Sequence, residues 1–187
     1  MFDAKEYYVT PVDFKSAKAV VLAHHYSKSV SFLGVYIFAL YKHGEDDIKG
    51  VSWWIPPAKG SVDKYNPGHH KTTLALHRLV VVPSVPTNGA SFLIGRSIRL
   101  IRKAGKYNYL ITYADTWQNH TGIIYKATNW DYRGESAPRP VWVTEEGQQV
   151  STLNRQMGRR ASPTTKELTE KAVLLGRFKK HVYTMEL

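Results

Sequence analysis

The spacing of apolar and polar positions predicts a chain of alternating short strands and helices. Glu6–Val9 reads as a short strand. Asp13 is placed to cap a helix in which Phe14, Ala17, Val20, Val21 and His24 recur at helical spacing, ending near His25-Tyr26-Ser27. Leu33–Lys42, rich in aromatic and β-branched residues, and Ile48–Ile55 flank the turn His43-Gly44-Glu45-Asp46-Asp47 and predict a hairpin stopped by Pro56-Pro57. Ala58–Thr72 is a long polar loop, and loops of that length in compact domains often carry function. Leu74–Val82 reads as a buried strand and Gly89–Ala104 as an amphipathic helix with Phe92, Leu93, Ser97, Leu100 and Ile101 along one face. Tyr109–Tyr113 is the next strand, Thr121–Ala127 a short helix, and Trp130–Tyr132 opens another strand. In the tail, Pro140–Val143 and Lys179–Met185 predict strands, and Leu153–Arg159 and Lys166–Leu175 short helices. This order implies a mixed α/β sheet flanked by helices. There is no internal repeat.

Composition narrows the classes. With 187 residues, 43% of them hydrophobic, the chain suits one compact domain with a sizeable core. The absence of cysteine excludes disulfides and thiolate metal sites. The start carries Asp3 and Glu6 and no long apolar run, unlike a signal peptide, and the longest apolar stretches are too short to span a bilayer. A soluble cytoplasmic protein without membrane contact is the expectation. The formal net charge is +11, unevenly spread. From Lys64 to Tyr113 there are eight Lys or Arg and no Asp or Glu, and five of the cations fall between Arg96 and Lys106. Arg155, Arg159 and Arg160 form a second cluster. Such a field favours a polyanion, because neutralised phosphates release counterions. Arg96, Arg99, Arg102, Lys103, Arg155, Arg159 and Arg160 are therefore candidate contacts to a nucleic-acid backbone, or else an ordinary solvated surface.

One stretch is more specific. Ala114-Asp115 is followed by Gly122-Ile-Ile-Tyr125-Lys-Ala127-Thr-Asn129-Trp130, with His25-Tyr26-Ser27, Arg78-Leu-Val-Val, Asn88-Gly-Ala-Ser-Phe-Leu93 and the Lys-Lys-His-Val-Tyr183 ending elsewhere. Together these pieces resemble the phage Mom proteins, which hypermodify adenine in DNA and shield it from restriction. That family is similar to the GNAT acyltransferases. The resemblance implies a GNAT-like domain over 1–136, with a basic C-terminal extension over 137–187 packed on it, acting in the cytoplasm of a bacterial host. It implies transfer of a glycine-derived, carbamoylmethyl-type group to adenine N6 in double-stranded DNA. The donor is left open among an acyl-CoA, an aminoacyl-tRNA and another glycine-derived compound. A conventional acetyl-CoA-dependent N-acetyltransferase and a non-catalytic DNA-binding protein are the rival readings. The phosphate-binding loop expected of an acyltransferase falls at Thr87–Ser91, where a single glycine stands.

Candidate site residues follow. Asp115, at a strand's carboxyl end, can orient the adenine amino group or accept its proton, or is a turn aspartate. His25 and His120 are acid/base candidates, and with Asp115 they make the set that iron would use if a metal is present. Tyr125 is either a general acid or a packed aromatic. Tyr26, Ser27 and Ser91 are candidates for donor or base binding, with Ser91 otherwise a helix cap. Arg78, inside an apolar strand, is an anchor or half of a buried pair. Asn129 suits an adenine edge or a helix end, and Trp130 is core or a stacking platform. Trp53 and Trp54 point opposite ways, one to the core and one towards a pocket. His24, His43, His69, His70 and His77 are expected on the surface or in packing.

Overall fold

The computed structural model describes residues 1–145, 147, 149–150 and 172–187, and the main chain of 154–156 and 159–161. Its strands are β1 (Tyr7–Pro11), β2 (Tyr36–Lys42), β3 (Gly50–Ile55), β4 (Thr73–Val81), β5 (Tyr109–Asp115), β6 (Asp131–Glu135), β7 (Arg139–Val143), β8 (Asn154–Gln156), β9 (Arg159–Ala161), β10 (Val173–Phe178) and β11 (Lys180–Glu186). The helices are α1 (Phe14–His24), α2 (Lys59–Asp63), α3 (Gly89–Ala104) and α4 (Ile123–Lys126).

Seven strands form one sheet in the order β1-β2-β3-β4-β5-β11-β6. Its neighbours are antiparallel except β4 and β5, which run parallel. Those two strands pair only from Thr73↔Tyr109 to Leu76↔Thr112, although β4 continues to Val81 and β5 to Asp115. The sheet therefore opens between them. β11 lies between β5 and β6, so residues 180–186 belong to the central sheet itself.

The two faces of the sheet take different helices. Ala17 and Val21 of α1 pack with Val51, Trp53 and Val80. Ile94, Ile98 and Ile101 of α3 pack with Phe38, Trp54, Leu74, Leu76 and Leu110, while Leu93 meets Tyr7 and Leu40. Local signals set the helix ends. Asp13 accepts the Ser16 N–H at 2.9 Å and starts α1. Gly105, at φ +66°, stops α3 in the left-handed region that favours glycine. Gly89 opens α3 where an added Cβ would lie 2.1 Å from Val85 Cγ1.

Several expectations are corrected. Trp53 and Trp54 do point to opposite faces, but both are fully buried in the core. Trp54 stacks on Trp130 at 6.4 Å and donates to Ser52 Oγ at 3.2 Å, and Ser52 pairs with Ser97 at 2.7 Å. The 58–72 loop contains α2 and a turn of 3₁₀ helix at His70–Thr72. Of the helix expected at Leu153–Arg159, residues 153, 157 and 158 lie outside the described residues, and 154–156 and 159 are strand, in β8 and β9, which pair with each other. Of the helix expected at Lys166–Leu175, residues 166–171 lie outside the described residues. Residues 173–175 are strand, because β10 pairs with β7 from Val173↔Val143 to Phe178↔Arg139. A short apolar run fits either period, and its pairing partner decides.

Among the described residues, no helix is long and apolar enough to cross a membrane. Replacing Trp54 by Ala removes the side chain that links β3, α3 and Trp130. The expected loss is about 3–5 kcal/mol of unfolding free energy, measurable by urea titration against wild type.

Candidate active site in the opening between the central strands

Where β4 and β5 separate, a cavity of about 440 Å³ forms, walled by the end of α1, both strands and the segment leading into α4. His25, Tyr26, His77, Tyr113, His120 and Tyr125 are among its lining residues.

Each arrives for a local reason. His25 ends α1, its N–H bonded to Val21 O at 2.9 Å, and the chain then turns so that Tyr26 stacks on it at 4.3 Å. Ser27 N–H donates to His25 Nδ1 at 3.1 Å. An amide can only donate, so Nδ1 is the bare nitrogen and Nε2 carries the proton. His77 faces the cavity because β4 bulges there: Trp53 pairs with Arg78 and Trp54 with Leu76, and His77 is skipped. Gly122 takes φ +70° over the Tyr183 ring, where a Cβ would lie 2.3 Å from Tyr183 Cε2, and this close approach sets α4 and Tyr125 against the cavity.

Asp115, at the end of β5, is 7% exposed. Tyr26 Oη–H donates to its Oδ2. Lys180 Nζ lies 2.6 Å from Oδ1, an ion pair whose angles fall outside hydrogen-bond geometry. Lys180 reaches it because β11 runs beside β5 with Lys180 opposite Asp115. Asp115 does not line the cavity; Tyr26 does, with its hydroxyl on the carboxylate. The rings of Trp117 and His120 meet Tyr26 edge-on at 5.8 and 5.5 Å, and the His120 N–H bonds Asp115 O at 3.2 Å.

The electrostatics follow from burial. Burial pushes the Tyr26 phenol up, and the Asp115 charge adds to it, so the phenol stays protonated. His25 is pushed down to about 3, first by burial and then by Arg78. His77 is pushed down to about 3 by the same two causes in the same order. Both imidazoles are neutral near pH 7. Burial also pushes Tyr125 up, with Thr112 opposing it. Arg78 donates to Ser29 O at 2.9 Å, Ser29 Oγ at 3.0 Å and His77 O at 2.8 Å. Among the described residues it has no ion-pair partner, so it is not half of a buried salt bridge.

The sequence profile described as the Mom protein family matches residues 6–187. The chain belongs to the Mom protein family. No curated protein matches it. Among solved structures it is similar to an acetyltransferase of the GNAT family from Streptococcus pneumoniae, at 10% identity and TM-score 0.59 over 97% of this chain and 100% of that one. It is also similar to the ribosomal-protein-S18-alanine N-acetyltransferase of Escherichia coli, at 9% identity and TM-score 0.55 over 96% and 93% of the two chains. A GNAT family acetyltransferase from Elizabethkingia anophelis with acetyl-CoA bound gives 14% identity and TM-score 0.55 over 97% and 99%. These likenesses establish the GNAT fold.

Within this Mom family chain, the structure brings Tyr26, His25, Ser27, Arg78, Asp115, His120 and Tyr125 together around the opening and leaves other expected residues apart. Ser91 sits in the first turn of α3, bonded to Asn88 O at 3.2 Å and outside the cavity wall. Asn129 takes φ +63° with its N–H on Lys126 O at 3.2 Å, closing the turn after α4. Trp130 is 4% exposed and belongs to the core. The side chains of Arg155, Arg159 and Arg160 lie outside the described residues. Among the described residues, no group of three His, Cys, Asp or Glu could hold a metal ion. The set His25, Asp115 and His120 does not fit iron: His25 Nδ1 is taken by Ser27, and the Asp115 oxygens face Tyr26 and Lys180. His77 is a cavity residue rather than surface or packing, and sequence reasoning missed Lys180. An arginine next to a histidine in an apolar strand was the available signal for the first. Only the Lys-Lys-His-Val-Tyr183 ending pointed towards the second.

The two depressed imidazoles make the fold acid-labile. Their folded pKa lies below the unfolded value of 6.5, so on acidification the unfolded chain takes up protons first. Stability is full above about pH 6.5 and falls towards pH 3, by about 1.4 kcal/mol per pH unit for each imidazole. Urea titrations at pH 7.5 and 5 should show the loss, and His77→Gln should remove about half of that slope. A flat profile would contradict it.

Proposed function

We propose that this chain is a transferase that places a small glycine-derived, carbamoylmethyl-type group on the N6 amino group of adenine in double-stranded DNA, protecting phage DNA from restriction. The observation that carries the reading is the Tyr26–Asp115 pair, clamped by Lys180 where the central strands of a GNAT fold separate, in a chain of the Mom family. N6 is paired inside a duplex, so the target base must leave the stack and enter a cavity.

The residues suggest a division of labour. As the new bond to N6 forms, the bond joining the transferred carbon to the rest of the donor breaks, the donor fragment leaves with that electron pair, and N6 sheds a proton. Tyr26, facing the cavity, accepts it on its phenol oxygen while passing its own proton to Asp115 Oδ2. Lys180 balances the charge that Asp115 carries before the proton arrives and holds the carboxyl in place. The neutral His77, in the bulge of β4, is available to donate to a carbonyl oxygen of the donor. Arg78, positive and without a carboxylate, favours an anionic group nearby. The start of α3, where Asn88 makes no side-chain cap, leaves first-turn amides for the anionic part of a donor.

A second reading is an acetyl-CoA-dependent N-acetyltransferase. The fold favours it, since a GNAT protein of this shape has acetyl-CoA bound.

Mass spectrometry of nucleosides from plasmid DNA, after expression in a bacterial host, separates the readings. Wild type should yield a heavier deoxyadenosine whose added mass identifies the group. Asp115→Asn and Tyr26→Phe should each reduce it by about 10²–10⁴-fold, the usual contribution of a positioned base. Unmodified DNA from a folded protein that binds coenzyme A would support the acetyltransferase. Unmodified DNA with DNA binding alone would support a non-catalytic DNA-binding protein.

A further inference from the structure

The cations of α3 are not equivalent. Arg96, Arg99 and Lys103 line a groove of about 380 Å³ between α3 and β1, with Leu100 and with Tyr7, Tyr8 and Val9 of the strand. Their spacing puts them on one side of the helix. Arg102 is not part of the groove. Tyr7 and Val9 pack towards α3. Tyr8, between them, stacks its ring on Tyr41 at 5.4 Å on the other face, so it offers the groove its main chain.

The groove is built for a negative ligand. Arg96 lies over the Phe92 ring at 5.1 Å, and Phe92 packs on Phe2, which stacks on Tyr7 at 4.7 Å. The guanidinium is thus held rather than free to sweep solvent. Among the described residues, none of the three cations makes an ion pair, and Glu6, next to Tyr7, is engaged by Lys42 at 3.7 Å. No residue lines both this groove and the catalytic cavity. β1 stands three strands from β4, roughly 14 Å at ordinary strand spacing.

We propose that this groove grips one strand of duplex DNA by its phosphates, at a distance from the base that enters the cavity. The inference rests on the reading of DNA as the substrate. Arg96 to Lys103 spans about 10 Å of helix at ~1.5 Å per residue. One DNA strand carries about three phosphates over that length of axis. The groove holds the duplex and carries no sequence information, since it meets the backbone rather than base edges.

The test is binding of a short synthetic duplex to the full chain as a function of salt. Combining Arg96→Gln, Arg99→Gln and Lys103→Gln should reduce the slope of log affinity against log salt by about 2.7, at ~0.9 for each phosphate that is no longer neutralised. Arg102→Gln should leave the slope close to wild type. All four are exposed side chains, and circular dichroism checks that the variants fold. An unchanged slope in the triple variant overturns the proposal, as does an Arg102→Gln effect as large per charge, or wild type that binds no duplex. The nucleoside assay separates this inference from the proposed activity. Modified adenine with an unchanged slope sinks the groove alone. A lowered slope with no modified adenine sinks the transferase reading and leaves the groove standing.

Discussion

Two parallel strands that share hydrogen bonds only as far as Leu76 and Thr112 are the constraint on which the site depends. Strands that separate expose the ends of β4 and β5 to whatever lies across the gap. Here that is the end of α1, with His25 and Tyr26, and the segment from Asn119 to Tyr125. The gap stays open because each strand is held from its other side. β4 pairs with β3 through a bulge, and β5 pairs with β11 along its whole length. The core holds the flanks apart: α1 on one face with Trp53, α3 on the other with Trp54.

The chemistry of the opening is set by what each charge can reach. Asp115 is an acid in a basic chain, buried at the end of its strand, with a lysine on one oxygen and a phenol on the other. The buried carboxylate is paired, as it must be to persist away from water. Its influence reaches the cavity through Tyr26. His25 and His77 are neutral, because burial and the Arg78 guanidinium both disfavour a second positive charge. The opening thus holds one carboxylate, two cations behind the wall and several neutral hydrogen-bonding groups in it. That mixture suits proton transfer from an amine, with anchoring for an anionic donor group, better than it suits a metal centre.

The same physics separates the two basic regions of the fold. Around the opening, cations are half-buried and bonded to specific partners: Arg78 to Ser29 and Lys180 to Asp115. On α3 they are exposed and without acid partners among the described residues. Interactions of the first kind position atoms. Those of the second kind raise the local concentration of a polyanion and weaken with salt. The proposed function calls for both kinds on separate surfaces, one to hold a long polymer and one to react with a single atom of it.

Much of this was legible in the sequence, wherever the cause is local. α3 runs from Gly89 to Ala104 as its periodicity and flanking glycines require, and α1 begins at the Asp13 cap. The strand expected at Tyr109–Tyr113, which runs two residues further to Asp115, and the short helix carrying Tyr125 follow from period and turn residues, and the motif around them pointed to the family. What the sequence left open is whatever depends on partners distant in the chain. Residues 173–175 became strand because β7 was there to pair with them. Trp130 went to the core because Trp54 faces it. His77 turned to the cavity because a bulge against β3 shifted the alternation. Lys180 met Asp115 because β11 inserts between β5 and β6 in one register. Local periodicity states which side of an element is apolar. Which elements lie side by side, and which residue then faces which, is decided by burial and hydrogen bonding over the whole sheet, and so only by the tertiary structure.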